Sequence, residues 1–213
     1  MNSNFRVWTL ISAFLFLLSP VIQAEKVPRK SKKDQVVTIN TNLGEIKLIL
    51  FDQTPQHKAN FLKLAESGFY DGTTFHRVIR DFMIQGGDPN TKDTDPNNDG
   101  AGQPDAAPIP AEIRPELPHK FGAVAAARQG DYINPTRASS ASQFYIVQNH
   151  QGTKHLDGAY TVFGQVISGL DIIDKIAAQP TGPRDRPTTD VKMTVKVDKL
   201  KKKKITQLYG YQY

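Results

Sequence analysis

Residues 36–51 alternate apolar and polar side chains on both sides of Asn42-Leu43-Gly44, which predicts an antiparallel hairpin with one buried face. A longer period follows. Thr54-Pro55 offers a cap and a first-turn proline, and Ala59, Phe61, Leu62, Leu64 and Ala65 recur at helical spacing until Gly68, so a helix is expected there. Further extended segments are predicted at residues 74–79, 82–85, 121–126, 143–147, 160–166 and 190–200. Ile172, Ile173 and Ile176 mark a second helix over residues 170–178, ended by Pro180. Strands at both ends, two helices and few strand-helix-strand units predict a mainly β domain, a closed antiparallel barrel capped by two α-helices. Residues 89–110 have no periodicity and are dense in Asp, Asn, Pro and Gly, so they read as an exposed loop. Asp95, Asn97, Asp99 and Gly100 imitate the start of a calcium loop, but Ala106 stands where the bidentate Glu is needed, and no metal is assigned.

The amino end obeys neither period. Residues 7–18 are an apolar run behind a lone Arg6, followed by a Ser19-Pro20 break and a small residue at Ala24, which predicts a cleaved signal peptide over residues 1–24. Twelve residues rise only about 18 Å as a helix, against a hydrocarbon core of ~30 Å, so no stable membrane span is expected. Residues 25–34 then form a basic linker, residues 35–200 the folded domain and residues 201–213 a basic and aromatic tail. Export would place the protein in a periplasm or the medium.

Composition narrows the chemistry. The chain has 213 residues and no cysteine, which suits one domain and excludes a disulfide framework, thiolate catalysis and cysteine-ligated zinc. The net charge of +6 belongs to the tails, because residues 35–198 carry 16 basic and 19 acidic side chains, a net of −3. A nucleic-acid partner is therefore not expected. There is no G-x-S-x-G elbow, P-loop or H-E-x-x-H, and the spacing of His150 and His155 suits neither a helix face nor a strand face for metal.

What stands out is residues 74–88, TFHRVIRDFMIQGGD. Strand alternation puts Arg77 on one face with Phe75 and Ile79, so its guanidinium leaves an apolar surface. Alone, this fits an arginine whose stem lies on the sheet and whose head reaches water. Core packing accounts as readily for Phe82, Met83 and Leu156. The string does not stand alone, however: AVAAAR at residues 123–128, SSASQFYIV at 139–147 and LDGAYTVFGQV at 156–166 follow in order.

Together these strings resemble the cyclophilin family of peptidyl-prolyl cis-trans isomerases, in a bacterial-like and exported form, over residues 35–199. The resemblance implies an eight-stranded antiparallel barrel with a helix at each end, no cofactor, no metal, and a monomer as the family default. It implies Arg77 as the catalytic arginine and Gln85 as the amide that positions it. Phe82, Met83, Tyr145 and Leu156 would form the proline pocket, Ala127 and Arg128 would meet the substrate backbone, and Gln143 would line the groove. Tyr145 replaces the usual Phe, Arg128 a frequent Asn, and Tyr160 the His common in eukaryotic members. His155, implied with Tyr160 among the substrate-binding residues, stands where cyclosporin-sensitive members have Trp, which puts cyclosporin affinity in doubt. Phe144 and Phe163 are assigned to the core by alternation. The expected substrates are X-Pro bonds in unfolded or partly folded exported proteins, whose folding would be assisted. Two other readings stay open. The substitutions at His155, Tyr145 and Arg128 also suit a proline-peptide binding module or chaperone with little turnover, and the lysine-rich ends could hold an anionic surface.

Overall fold

The computed structural model describes residues 31–103 and 105–213; the predicted signal peptide and most of the basic linker lie outside the described residues. Eight strands form one antiparallel sheet: β1 (Lys33–Thr41), β2 (Gly44–Leu50), β3 (Phe75–Ile79), β4 (Met83–Gly86), β5 (Ala123–Ala126), β6 (Phe144–Val147), β7 (Val162–Ser168) and β8 (Met193–Lys201). Their spatial order is β3-β4-β6-β5-β7-β2-β1-β8. The expected hairpin is β1-β2, in register from Val36 opposite Ile49 to Thr41 opposite Gly44. The sheet curls, but its edge strands are not paired along their lengths. Only the bridge from Thr74 to Lys192 and single bonds such as Met193 N–H to Thr73 O, 2.8 Å, join them. An eight-stranded curled sheet thus replaces the expected closed barrel.

Three α-helices accompany the sheet among the described residues: α1 (Pro55–Glu66), α2 (Leu170–Ala177) and α3 (Lys202–Tyr209). The first packs on β7 and β8, the second on β2, β3 and β4. The third was not expected. It occupies the supposed tail and is held by Ile205, which is fully buried, while the Lys202 ammonium sits 4.4 Å over the Tyr213 ring. The sheet also begins earlier than the predicted boundary, since Lys33 pairs with Lys201.

Period-two alternation gives the sheet two apolar faces. Phe144 and Ile146 of β6, with Val124 and Ala126 of β5, enter a core shared with Phe61, Tyr70, Phe75 and Phe163. The ring of Phe61 meets Phe144 edge-on at 5.4 Å, an arrangement the aromatic quadrupoles favour. The alternate residues Ala123, Ala125, Tyr145, Val147 and Met83 form a second cluster on the other face. One departure from strict alternation matters. Phe75 pairs with Gly86 and Arg77 with Gln85, so His76 is an extra residue in β3. Phe75 therefore turns into the core while Arg77 and Ile79 face the second cluster, correcting the expectation that all three share a face.

The expected Thr54 cap is also replaced. Its side chain makes no capping bond. Glu112, from a distant loop, instead accepts from the Gln56 and His57 N–H groups at 3.1 and 3.0 Å and from the His57 Nδ1–H at 2.7 Å. A carboxylate there satisfies orphan helix donors and faces the positive end of the helix dipole. Replacing Glu112 with Ala should cost on the order of 3 kcal/mol, since bonds to a charged group are worth ~1.5–3 kcal/mol each and the site is buried. Urea unfolding of the variant checks this; an unchanged midpoint would refute it.

Candidate active site

Four neighbouring strands set the site in a row. Arg77 lies opposite Gln85, Gln85 opposite Tyr145, and Tyr145 opposite Ala125, so β3, β4, β6 and β5 each place one residue at the same level. The double glycine at the end of β4, Gly86-Gly87, ends this row for a steric reason. Gly87 has φ of +85°, and a Cβ there would stand 2.6 Å from the Ser142 carbonyl oxygen. The turn brings in Asp88, whose buried carboxylate accepts from Asn90 N–H at 3.0 Å and Gly102 N–H at 2.9 Å, folding residues 89–102 back over the sheet.

Polar side chains then form a chain. The Arg77 Nη1 donates to Gln85 Oε1 at 3.4 Å, Gln85 Nε2 donates to Gln143 Oε1 at 3.1 Å, and Gln143 Nε2 donates to Gly100 O at 3.2 Å. Arginine is held by an amide that is itself held. Beside it opens a cavity of about 520 Å³ whose apolar wall is Phe82, Met83, Tyr145, Leu156 and Tyr160. Met83 and Tyr145 are buried against the sheet, whereas Arg77 is only half-buried.

The floor of this cavity is polar underneath. Tyr145 donates its hydroxyl to His119 Nε2 at 3.0 Å, and the His119 Nδ1–H and backbone N–H both reach Asp157 Oδ1 at 2.8 Å. Burial pushes the Tyr145 hydroxyl pKa up and the His119 pKa down, the latter partly offset by Asp157. Asp157 is largely exposed, and the modest desolvation of its carboxylate is outweighed by the His119 donors, so its pKa falls. At neutral pH the tyrosine is thus a neutral donor with its one proton committed to His119.

Of the residues expected at the site, Arg77, Gln85, Phe82, Met83, Ala127, Arg128, Tyr145, Leu156 and Tyr160 all line this cavity. Gln143 lies just beyond, in an adjoining hollow, and reaches the row through Gln85. Arg128 does not project as a free cation: its Nη2 pairs with Asp131 at 2.7 Å, its Nε donates to Ala159 O at 2.9 Å, and its guanidinium covers the Tyr160 ring at 4.3 Å. His155 differs from expectation. It is exposed and stacked on Phe82 with ring centres 5.8 Å apart, outside the cavity lining. Sequence reading missed His76, Pro96, Asp99 and Gly100 and the segment Arg184, Asp185, Arg186, which complete the wall. Asp99, read above as part of a calcium-like turn, is an ion-pair partner of Arg186.

The family model described as cyclophilin type peptidyl-prolyl cis-trans isomerase/CLD matches residues 36–197. The chain belongs to the cyclophilin family. It is a cyclophilin-type peptidyl-prolyl cis-trans isomerase. This cyclophilin is 42% identical over 163 residues to the peptidyl-prolyl cis-trans isomerase CYP18-1 of Arabidopsis thaliana, an alignment covering 74% of this chain and 91% of the relative. It is 35% identical over 175 residues to human peptidyl-prolyl cis-trans isomerase-like 1, covering 78% and 94%. Among solved structures, the cyclophilin-type isomerase of Cryptosporidium parvum superposes with a TM-score of 0.68 at 30% identity, covering 78% of this chain and 98% of that one. That protein has also been crystallised in the presence of the dipeptide Ala-Pro.

Proposed function

We propose that this cyclophilin turns X-Pro bonds of unfolded or partly folded proteins with Arg77 as its catalytic group, and that it does so after export. An X-Pro amide resists rotation because the nitrogen lone pair is delocalised, with a barrier of ~18–20 kcal/mol. Midway through rotation the nitrogen is pyramidal and its lone pair is free, so a donor fixed beside it stabilises that state above either planar isomer. Arg77 carries a guanidinium whose five donors form a rigid fork. Gln85 occupies one of them, which leaves others for the preceding carbonyl and the ring nitrogen. Phe82, Met83, Tyr145 and Leu156 hold the pyrrolidine ring and displace water, which strengthens the guanidinium field. Ala127 and Arg128 border the peptide, Gln143 lines its path, and Tyr160 closes the wall. No step needs a metal or cofactor.

The observation that carries this reading is a tethered guanidinium at the rim of a cavity with a continuous apolar wall. Exchange spectroscopy on an Ala-Pro peptide tests it: line broadening from cis-trans exchange at low enzyme concentration is expected. Binding without exchange would favour the alternative, a proline-peptide module or chaperone with little turnover.

Export and assistance to folding rest on the apolar run before Ala24 and on the shape of the domain that follows. Among the described residues no helix is long and apolar enough to cross a membrane. Mass spectrometry of the protein from its host should find a mature chain beginning near Glu25 in the periplasm or medium; an intact Met1 terminus inside the cell would refute export. Cyclosporin affinity is proposed to be weak, because His155 stands beside Phe82 where cyclosporin-sensitive members have Trp, and lies outside the cavity lining.

A further inference from the structure

Arg77 is held from two sides, and only the Gln85 side was expected. Opposite it, Asp185 Oδ2 lies 3.6 Å from the Arg77 Nε. Asp185 belongs to the loop between α2 and β8, far from Arg77 in sequence, and lines the same cavity.

That loop is built to present one side chain. Arg184 and Asp185 both have φ near +60°, a left-handed conformation that costs a non-glycine residue and persists only where the surroundings over-determine it. Here the determinants are visible. Gly182 N–H donates to Arg186 O at 2.8 Å and Thr188 N–H to Pro180 O at 2.9 Å, closing the loop on itself between Pro183 and Pro187. The Arg184 guanidinium donates to the Pro96 and Asn97 carbonyls at 2.6 and 3.1 Å. Arg186 pairs with Asp99 and, at 3.0 Å, with Asp190. Both flanking arginines are thus occupied in joining this loop to residues 96–99, and Asp185 between them is turned to Arg77.

The consequence for the guanidinium is directional. Gln85 takes one Nη1 donor and Asp185 faces Nε, while Nη2 makes no hydrogen bond among the described residues. An arginine side chain has several rotatable bonds and loses most of its effect on a transition state if its fork wanders. We propose that Asp185 is a positioning residue for Arg77: it fixes the Nε edge so that the free edge of the fork meets the rotating imide. This rests on Arg77 being the catalytic group. Because both partners are nearly half exposed, the pair is screened, and its effect should be a moderate one on rate rather than a large one on stability.

The test uses the full chain and an Ala-Pro peptide, with exchange line-shapes giving the bound-state isomerisation rate and the peptide Kd separately. Asp185→Asn keeps the size and tolerates the left-handed backbone; Asp185→Gly is at ease there and removes the side chain. Both are expected to slow isomerisation on the enzyme about threefold to tenfold, with Kd changed less than twofold and Tm retained. In an Arg77→Ala background the same substitutions should add no further loss, since Asp185 acts through Arg77. Rates within twofold of the parent, or losses that multiply in the double variant, would overturn the proposal. An inactive parent, or an Arg77→Ala protein as fast as the parent, would instead fail the underlying reading of Arg77.

Discussion

Arg77→Ala should slow the catalysed cis-trans exchange of an Ala-Pro peptide at least about tenfold, with the fold intact. The magnitude follows from what is lost. A transition-state hydrogen bond to a charged donor is worth ~1.5–3 kcal/mol, which is roughly 10- to 150-fold in rate. No neighbour can substitute, because Arg128 and Arg186 are committed to Asp131 and to Asp99 and Asp190. Arg77→Lys should recover little of the loss, since a single ammonium cannot hold a carbonyl and meet the ring nitrogen together. Stability should change by less than about 1 kcal/mol, because the Arg77 ion pair is nearly half exposed and screened by solvent. Exchange spectroscopy on parent and variant decides the matter, and equal rates would remove Arg77 from the mechanism.

The fold itself should lose stability steeply as pH falls below about 6.5. Three histidines, His57, His76 and His119, are each at least 95% buried. In each, burial is the largest influence and lowers the pKa below 6.5, against partial opposition from Glu112, Asp88 and Asp157 respectively. The unfolded chain therefore takes up protons near pH 6.5 that the folded chain refuses. Stability is full above that pH and falls as pH drops toward the folded-state pKa values, by up to about 1.4 kcal/mol per pH unit for each histidine. Three acting together approach about 4 kcal/mol per unit, a large part of the ~5–15 kcal/mol that holds an ordinary domain. Glu112 and Asp157 add a second stage of the same sign at lower pH. Their folded pKa values are lowered, so their contribution is present above the unfolded carboxylate range and disappears as pH falls through the folded values. Urea midpoints at pH 8, 6.5 and 5.5 should fall in that order, less steeply in His119→Gln. A flat profile from pH 8 to 5 would contradict the burial argument.

Strand β6 shows how the sequence reached the core. Four residues, Phe-Tyr-Ile-Val, alternate between the two faces: the family resemblance implies Tyr145 for the groove, and alternation then assigns Phe144 to the interior. The helices at Pro55 and Leu170 were equally legible, since their apolar residues repeat within one or two turns. Nine of the eleven residues that the resemblance implied for the site line its cavity, whereas alternation alone left Phe82, Met83 and Leu156 as readily in the core.

What the chain order alone determined are those local periods and strings: the alternating strands, the two amphipathic helices and the double glycine that closes the Arg77 string. Only the tertiary structure decided where distant segments meet. The extra residue His76 reverses the face of Phe75, Glu112 replaces Thr54 as the cap of α1, Ile205 makes a helix of the tail, and Asp185 arrives at Arg77. The bulge is a matter of register within one hairpin, while the Glu112 cap and the Asp185 contact join segments far apart in sequence. No period of two or 3.6 residues encodes such a meeting, because the energy that selects it exists only once the sheet has curled and brought the loops together.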